Sequence, residues 1–254
     1  MELTQEKIIE QRLLCPFTAD DIDIRAGAGA GSGKNIPLFY VTTRAVDKRL
    51  RQVFGLGGYS IKNVTHSIEH ETIKKKSYVK AGETYKPVLT DKTVVDGPEG
   101  TVTTQQYDAR PYEINNGLLA ATTCEIHVHM KDMNFVMTNV GEKGLDETGF
   151  NKVTSSYAQA YKRAASSMGV GAYLYYLKDI PGVSFTNNKC NLKASDEPVK
   201  TKIQEGLDEV GFLFICEETG VVINDWTICA RSMEKCGRVL SVEGYKKLKE
   251  EGKV

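Results

Sequence analysis

The chain reads as an α+β protein, an antiparallel sheet with helices packed on it, followed by a small C-terminal unit. Three observations lead there. Strand-like stretches meet across short connections: IPLFYVTT follows a glycine-rich loop, and NFVMTNVG follows LLAATTCEIHVHM across Lys131-Asp132. Helical spacing of apolar residues is confined to a few short segments between those strands. The resulting order is helix, hairpin, helix, strands, helix, with no internal repeat.

Each element has a local reason. The charged amphipathic stretch from about Thr4 to Leu14 predicts a helix that ends before Cys15-Pro16. FTADDIDIRAG predicts a turn and then a short strand, and AGAGAGSGK the tip of a hairpin whose second strand is IPLFYV. In RAVDKRLRQVFG, Ala45, Val46, Leu50, Val53 and Phe54 recur near helical spacing and face a core, with Lys48, Arg51 and Gln52 outward; Gly55 closes the helix. YSIKNVTHSIEHETI predicts a strand. Residues 71–117 carry few periodic apolar residues, and the expectation there is a strand or two plus a mobile loop. A helix is expected from about Thr154 to Met168, with Tyr157, Ala160, Tyr161, Ala164 and Met168 inward and Gly169 and Gly171 ending it. The polar stretch NNKCNLKASDEPVKTK marks a boundary. The organisation expected is a main domain over 1–186, a linker over 187–210 and a small unit over 211–254.

Composition narrows the function. At 254 residues and 41% hydrophobic content a core forms readily. No apolar run approaches the roughly 18 residues of a membrane span, and the N-terminus has no signal-peptide pattern. A cytoplasmic protein is expected, with no membrane partner. Formal net charge is zero, but cations cluster from Arg44 to Lys80: Arg44, Lys48, Arg49, Arg51, Lys62, Lys74, Lys75, Lys76 and Lys80, against Asp47, Glu69 and Glu71. That is a locally basic body or an ordinary solvated mixed surface. The six cysteines include no CxxC pair, which disfavours a disulfide framework. His127 and His129 share one strand face; two such residues begin a metal site or simply line a polar face.

Ala28 to Asn35, AGAGSGKN, imitates an ATP-binding phosphate loop. Gly33-Lys34 fits, but Ala28 stands at the first glycine position and Asn35 where a Ser or Thr hydroxyl holds magnesium. The following IPLFYV predicts a strand, so no helix N-terminus would face a phosphate.

Three ordered segments resemble the Rad-fifty-two single-strand annealing family, and especially its phage branch. The first runs from Arg25 through the Gly-rich loop, Phe39-Tyr40-Val41, Arg44-Ala45-Val46 and Val53-Phe54-Gly55 to Tyr59. The second is Asn139-Val140-Gly141. The third is Tyr157-Ala158-Gln159-Ala160-Tyr161-Lys162-Arg163-Ala164-Ala165, then Met168-Gly169-Val170-Gly171-Ala172-Tyr173-Leu174-Tyr175. Together they cover about residues 15 to 180. The resemblance implies oligomeric rings with a basic outer groove that holds single-stranded DNA by its backbone. It also implies annealing without ATP in recombination or repair, no enzymatic turnover and no cofactor, with a single-strand DNA-binding protein as a candidate partner and, for a phage protein, the host cytoplasm as its place. The groove residues carried over are Arg25, Tyr40, Lys162 and Arg163, with Lys34 added from the hairpin tip. The departures are Ser166 where the family has a further arginine, Tyr59 where Trp is common, and a longer insertion at 71–117.

The chemistry of annealing agrees with that set. Strands must be held extended with bases free, which calls for phosphate contacts and not base readout. Lys162 and Arg163 on one helix turn are expected to face such a strand, or to lie on an ordinary solvated helix face. The C-terminal unit resembles a small zinc ribbon that has lost its metal: Cys216-Glu217-Glu218-Thr219-Gly220 stands for the first knuckle and Ser241-Val242-Glu243-Gly244 for the second, so three of four thiolates are gone. Cys229 and Cys236 are either substitute ligands or, as their spacing fits, part of a helical core with Ile228 and Met233, and Trp226 is expected in that core. Two rival functions remain open at this point, a nucleotide-dependent recombination ATPase using Gly33-Lys34 and an oligomeric scaffold that binds no DNA.

Overall fold

The computed structural model describes residues 3–26, 37–70, 78–81, 84–97, 100–108, 117–143, 152–177, 180–186, 189–211 and 213–254. Thr4 caps the first helix by accepting from the Lys7 N–H, and α1 runs Gln5–Leu14. A 3₁₀ turn, Ala19–Asp21, leads into β1 (Ile22–Ala26), which pairs antiparallel with β2 (Pro37–Val41). Thr42 caps α2 (Thr43–Phe54). The apolar side of α2 holds the residues expected there and one charged addition: Arg49 is buried beside Ala45, Val46, Leu50, Val53 and Phe54.

The centre of the molecule is a three-stranded sheet ordered β3-β7-β8, from β3 (Tyr59–His70), β7 (Gly117–Met130) and β8 (Met133–Lys143). Residues alternate across β7: Thr122, Cys124, Ile126 and Val128 are buried, while Thr123, Glu125 and His127 face outward. α3 (Lys152–Ser167) lies on the buried face and packs against β7 and β8. Its contact side is small, with Ala160, Ala164 and Ala165 fully buried. The approach is closest at Gly141 on β8, where an added Cβ would lie 2.2 Å from the Ser156 carbonyl oxygen and 2.3 Å from the Ala160 nitrogen. Only glycine admits the helix backbone there, which gives Asn139-Val140-Gly141 a packing reason. A hydroxyl chain that runs inward from exposed Thr65 to buried Thr122 (2.9 Å) and Ser156 (2.8 Å) ties β3, β7 and α3 together.

Two parts differ from the sequence expectation. Within residues 71–117 the described stretches form a second three-stranded antiparallel sheet, β4 (Tyr78–Ala81), β5 (Thr84–Gly97) and β6 (Gly100–Asp108), where a strand or two was expected, and the loop expected there lies outside the described residues. Its strands are rich in Thr and Val but also in Lys, Asp and Gln, so their hydrophobic contrast is low although their β-propensity is high. Residues 187–210, expected as a linker, contain β10 (Lys189–Cys190) and α4 (Glu197–Glu209). With β9 (Phe185–Thr186), β10 completes a four-stranded sheet ordered β2-β1-β10-β9. α4 buries Val199, Ile203 and Leu207 and packs against the 3₁₀ segment Ala172–Tyr176.

The C-terminal residues form the hairpin β11 (Phe214–Ile215) and β12 (Val222–Ile223), then α5 (Trp226–Cys236) and α6 (Val242–Glu250). Trp226, Cys229 and Met233 are buried, as the spacing predicts, and Ile228 and Cys236 are partly buried against the same core. The unit is fastened to the main body by polar contacts. The buried Glu217 carboxylate accepts from Arg12 Nε (2.8 Å), Arg238 Nε (3.3 Å) and the Val239 N–H (2.8 Å). Gln11 accepts from the Ile215 N–H, and Gln52 donates to the Met233 carbonyl. Among the described residues no helix is long and apolar enough to cross a membrane. The mixed α/β architecture with antiparallel sheets is the fold class expected.

Candidate functional site

Strand alternation builds the first wall of the site. The hairpin register sets Asp23 opposite Tyr40 and Arg25 opposite Leu38, so these four share one face of β1 and β2. Ile22, Ile24, Phe39 and Val41 take the other face, against the core. Arg25 reaches diagonally across the pair, and its guanidinium carbon lies 4.2 Å from the centre of the Tyr40 ring. From a segment more than a hundred residues later, α3 brings Lys162 to the same ring, with Nζ 5.1 Å from its centre. Arg25, Tyr40 and Lys162 therefore converge.

The electrostatics follow from that geometry. Lys162 is half-buried and makes no ion pair among the described residues. Burial, and then the nearby Arg25 charge, hold its ammonium below the usual lysine range. Burial pushes the Tyr40 hydroxyl up, and Asp23, which it hydrogen-bonds, adds to that while Arg25 opposes it. Cation–ring contacts of this kind contribute roughly 0.5–2 kcal/mol each. Both contacts are made to the same ring, so Tyr40 holds the two cations near one another.

The other expected residues lie elsewhere. Arg163 is turned about 100° around the helix from Lys162 and reaches β8, where its Nη1 donates to the Val140 carbonyl at 2.8 Å. It is exposed, but it does not share the Tyr40 cluster. Lys34 and the whole Gly-rich loop lie outside the described residues. Among the described residues the next element along the chain is the strand β2.

Most of the cation-rich segment is neutralised where it is described; Arg44 is exposed and has no ion pair among the described residues. Lys48 pairs with Glu234, Arg51 with Asp47 (3.0 Å), and Lys62 with Glu125 (3.3 Å). Arg49 is buried over the Phe17 ring and donates to the carbonyls of Arg12, Cys15 and Pro16. It thereby ties α2 to the end of α1. Lys74, Lys75 and Lys76 lie outside the described residues, as does the side chain of Lys80.

A groove of about 520 Å³ opens beside the cluster, lined by Arg25, Tyr40, Asp20, Asp23, Lys189 and Lys193 among others. Sequence reasoning missed Asp23, Lys189 and Lys193. The alternation in DIDIR was a signal for Asp23, since i and i+2 share a strand face. Pairing between β1 and β10 is long-range and left no local mark.

Metal-binding geometry is absent from the described residues: no three His, Cys, Asp or Glu are grouped to hold an ion. The His127 and His129 rings stack at 6.0 Å, and His127 Nε2 lies 2.9 Å from Glu125. In the C-terminal unit, Cys216 faces the residues expected at the second knuckle. Burial raises its thiol pKa, but hydrogen bonds from Ser241, Thr219 and the Glu218 backbone prevail and leave it below the usual thiol range. A Cβ on Gly244 would lie 2.6 Å from Cys216 Sγ. The backbone thus closes on the thiol, and one thiol with two hydroxyls does not make a four-thiolate zinc site.

The fold and this cluster define a mixed α/β protein with a cationic, tyrosine-backed groove beside a β-hairpin. No protein-family model matches the chain, and no curated protein matches it.

Proposed function

We propose that the chain is a single-strand annealing protein of the Rad-fifty-two type, binding single-stranded DNA by its phosphates and pairing complementary strands without ATP. The observation that carries this reading is the convergence of Arg25 and Lys162 on the Tyr40 ring, with no carboxylate paired to Lys162 among the described residues. Two like charges held together, with the Lys162 ammonium partly desolvated, are costly alone and are relieved by an anion. Phosphate supplies that anion, and contacts made to the backbone leave bound bases free to pair. The strand after the Gly33-Lys34 loop supports ATP-independence. Arg163 sits apart and would meet a different stretch of backbone.

Assembly into a ring belongs to the same reading, supported by outward Val64, Val136 and Val140 on the central sheet. The C-terminal unit is read as a metal-less relative of a zinc ribbon, its two knuckles joined by hydrogen bonds at Cys216. Turnover, a cofactor and a membrane role form no part of the proposal; a single-strand DNA-binding protein and the cytoplasm do.

The test is fluorescence anisotropy with a labelled oligo-dT, together with a nucleotide-free annealing assay. Affinity falls with salt as counterions are released, and Arg25→Ala or Lys162→Ala each raises Kd about tenfold, or 1.4 kcal/mol, while slowing annealing. Unchanged affinity in both variants removes the cluster from the model. Assembly that is indifferent to the oligonucleotide at low salt supports the scaffold alternative, and nucleotide binding that is abolished in Lys34→Ala supports the ATPase.

A further inference from the structure

We infer that β10 and the turn after it, within the segment read from sequence as a linker, form a second stretch of the phosphate track, with Lys189 and Lys193 as its contacts. The inference rests on the reading of the Arg25 cluster as a site for a sugar-phosphate backbone.

The geometry is fixed by sheet pairing. β1 has β2 on one side and β10 on the other, and Lys189 is the register partner of Arg25. Directly opposed residues share a face, so Lys189 stands beside Arg25 on the face that carries Tyr40 and Asp23. Lys193 lines the same groove from the turn that leads into α4. Both lysines are exposed, and neither forms an ion pair among the described residues.

The segment is rigid enough to present them. Asn191 closes the β9–β10 hairpin by donating to the Ser184 and Gly182 carbonyls and accepting from the Ser184 N–H. Ala194 is buried and Leu192 is packed against the core, which pins the turn on both sides of Lys193. The Lys193 N–H donates to Asp196 at 2.8 Å. Beyond it α4 is held closely, with Gly206 against the Tyr173 carbonyl. Backbone immobilised in this way loses little further entropy when the lysines engage a ligand.

Asp20 and Asp23 line the groove too, so it is not uniformly basic. The Tyr40 hydroxyl engages Asp23, whereas Asp20 is exposed and near the path. A phosphate chain is repelled by Asp20 and drawn toward Lys189, Arg25 and Lys193, which gives the groove a preferred lane. Removing the Asp20 charge therefore acts in the opposite direction to removing the lysines.

The experiment measures oligo-dT affinity and its salt dependence on the full chain. Lys189→Ala combined with Lys193→Ala weakens binding at least fivefold and lowers the slope of log K against log salt by about 1.4, near 0.7 for each phosphate that a single strand no longer has neutralised. Asp20→Asn tightens binding about twofold. Lys246→Ala with Lys249→Ala, on exposed positions of α6, leaves both quantities as in the wild type. If Arg25→Ala and Lys162→Ala weaken binding while the Lys189 and Lys193 double variant retains wild-type affinity and slope, the inference is wrong and the cluster reading stands. If the wild type does not bind oligo-dT at low salt, both are wrong.

Discussion

Two cation-bearing regions of this molecule behave oppositely. Along α2 and β3, where the sequence is densest in Lys and Arg, four of the described cations are spent on neighbours, Lys48 on Glu234, Arg51 on Asp47, Lys62 on Glu125 and Arg49 on three carbonyls, while Arg44 at the start of α2 stays exposed without an ion pair among the described residues. At the hairpin and α3 the cations are few, but Arg25 and Lys162 meet on one ring and repel each other. A paired surface cation is already satisfied and offers a phosphate little. A pair of cations without a carboxylate partner among the described residues, one exposed and one half-buried, offers a phosphate much more. The density of charge in the chain marks the scaffold here, and its lack of compensation marks the site.

Substitutions sharpen that contrast, and the largest effect is expected in the region that the proposal leaves out of binding. Arg49→Met leaves three buried carbonyls without a donor, at roughly 1–3 kcal/mol apiece, so a stability loss of about 3 kcal/mol or more is expected. Urea denaturation reads it, and a loss under about 1 kcal/mol would show that this guanidinium is not the tie between α1 and α2. Gly141→Ala drives a methyl group into the α3 backbone and costs about 3 kcal/mol. Because it displaces the helix that carries Lys162, DNA affinity falls with it; preserved stability and affinity would contradict the close approach.

The next effect is on pH. A depressed Lys162 loses its proton below the ordinary lysine range, so wild-type affinity for oligo-dT declines as pH rises through that depressed value. Lys162→Arg, which keeps its charge, flattens the profile. The sign for stability is opposite. The folded chain binds the proton less tightly than the unfolded chain does, so the cost of the buried charge is full below the folded pKa. That cost is relieved as pH rises from the folded value toward 10.5, the ordinary value for lysine. The smallest effect is that of Lys48→Ala, whose exposed ion pair contributes at most about 1 kcal/mol to stability and nothing to DNA binding.

Much of the fold was legible because periodicity and punctuation agreed. Thr4 and Thr42 cap the helices that begin after them, and CEIHVHM alternates as β7 does. Arg49 carried a local signal too: it lies three residues from Val46 and four from Ala45, in the middle of the apolar stripe. The second sheet was hidden by its polar alternation. α4 was hidden by its polar surroundings, although Val199, Ile203 and Leu207 keep four-residue spacing. Within the site, the separate directions of Lys162 and Arg163 come from the helical angle between adjacent residues. The meeting of Arg25 with Lys162, and the pairing of Arg25 with Lys189, depend on contacts between distant segments that no local pattern encodes.

The central claim is that the uncompensated cations, and not the numerous ones, hold a nucleic-acid backbone. The most direct measurement compares the salt dependence of oligo-dT binding for the wild type, for Arg25→Ala with Lys162→Ala, and for Lys48→Ala with Arg51→Ala. The account predicts that the first pair lowers the slope by about 1.4, near 0.7 for each phosphate on a single strand, and that the second pair leaves it unchanged. An equal drop in both, or a drop only in the second, would contradict it.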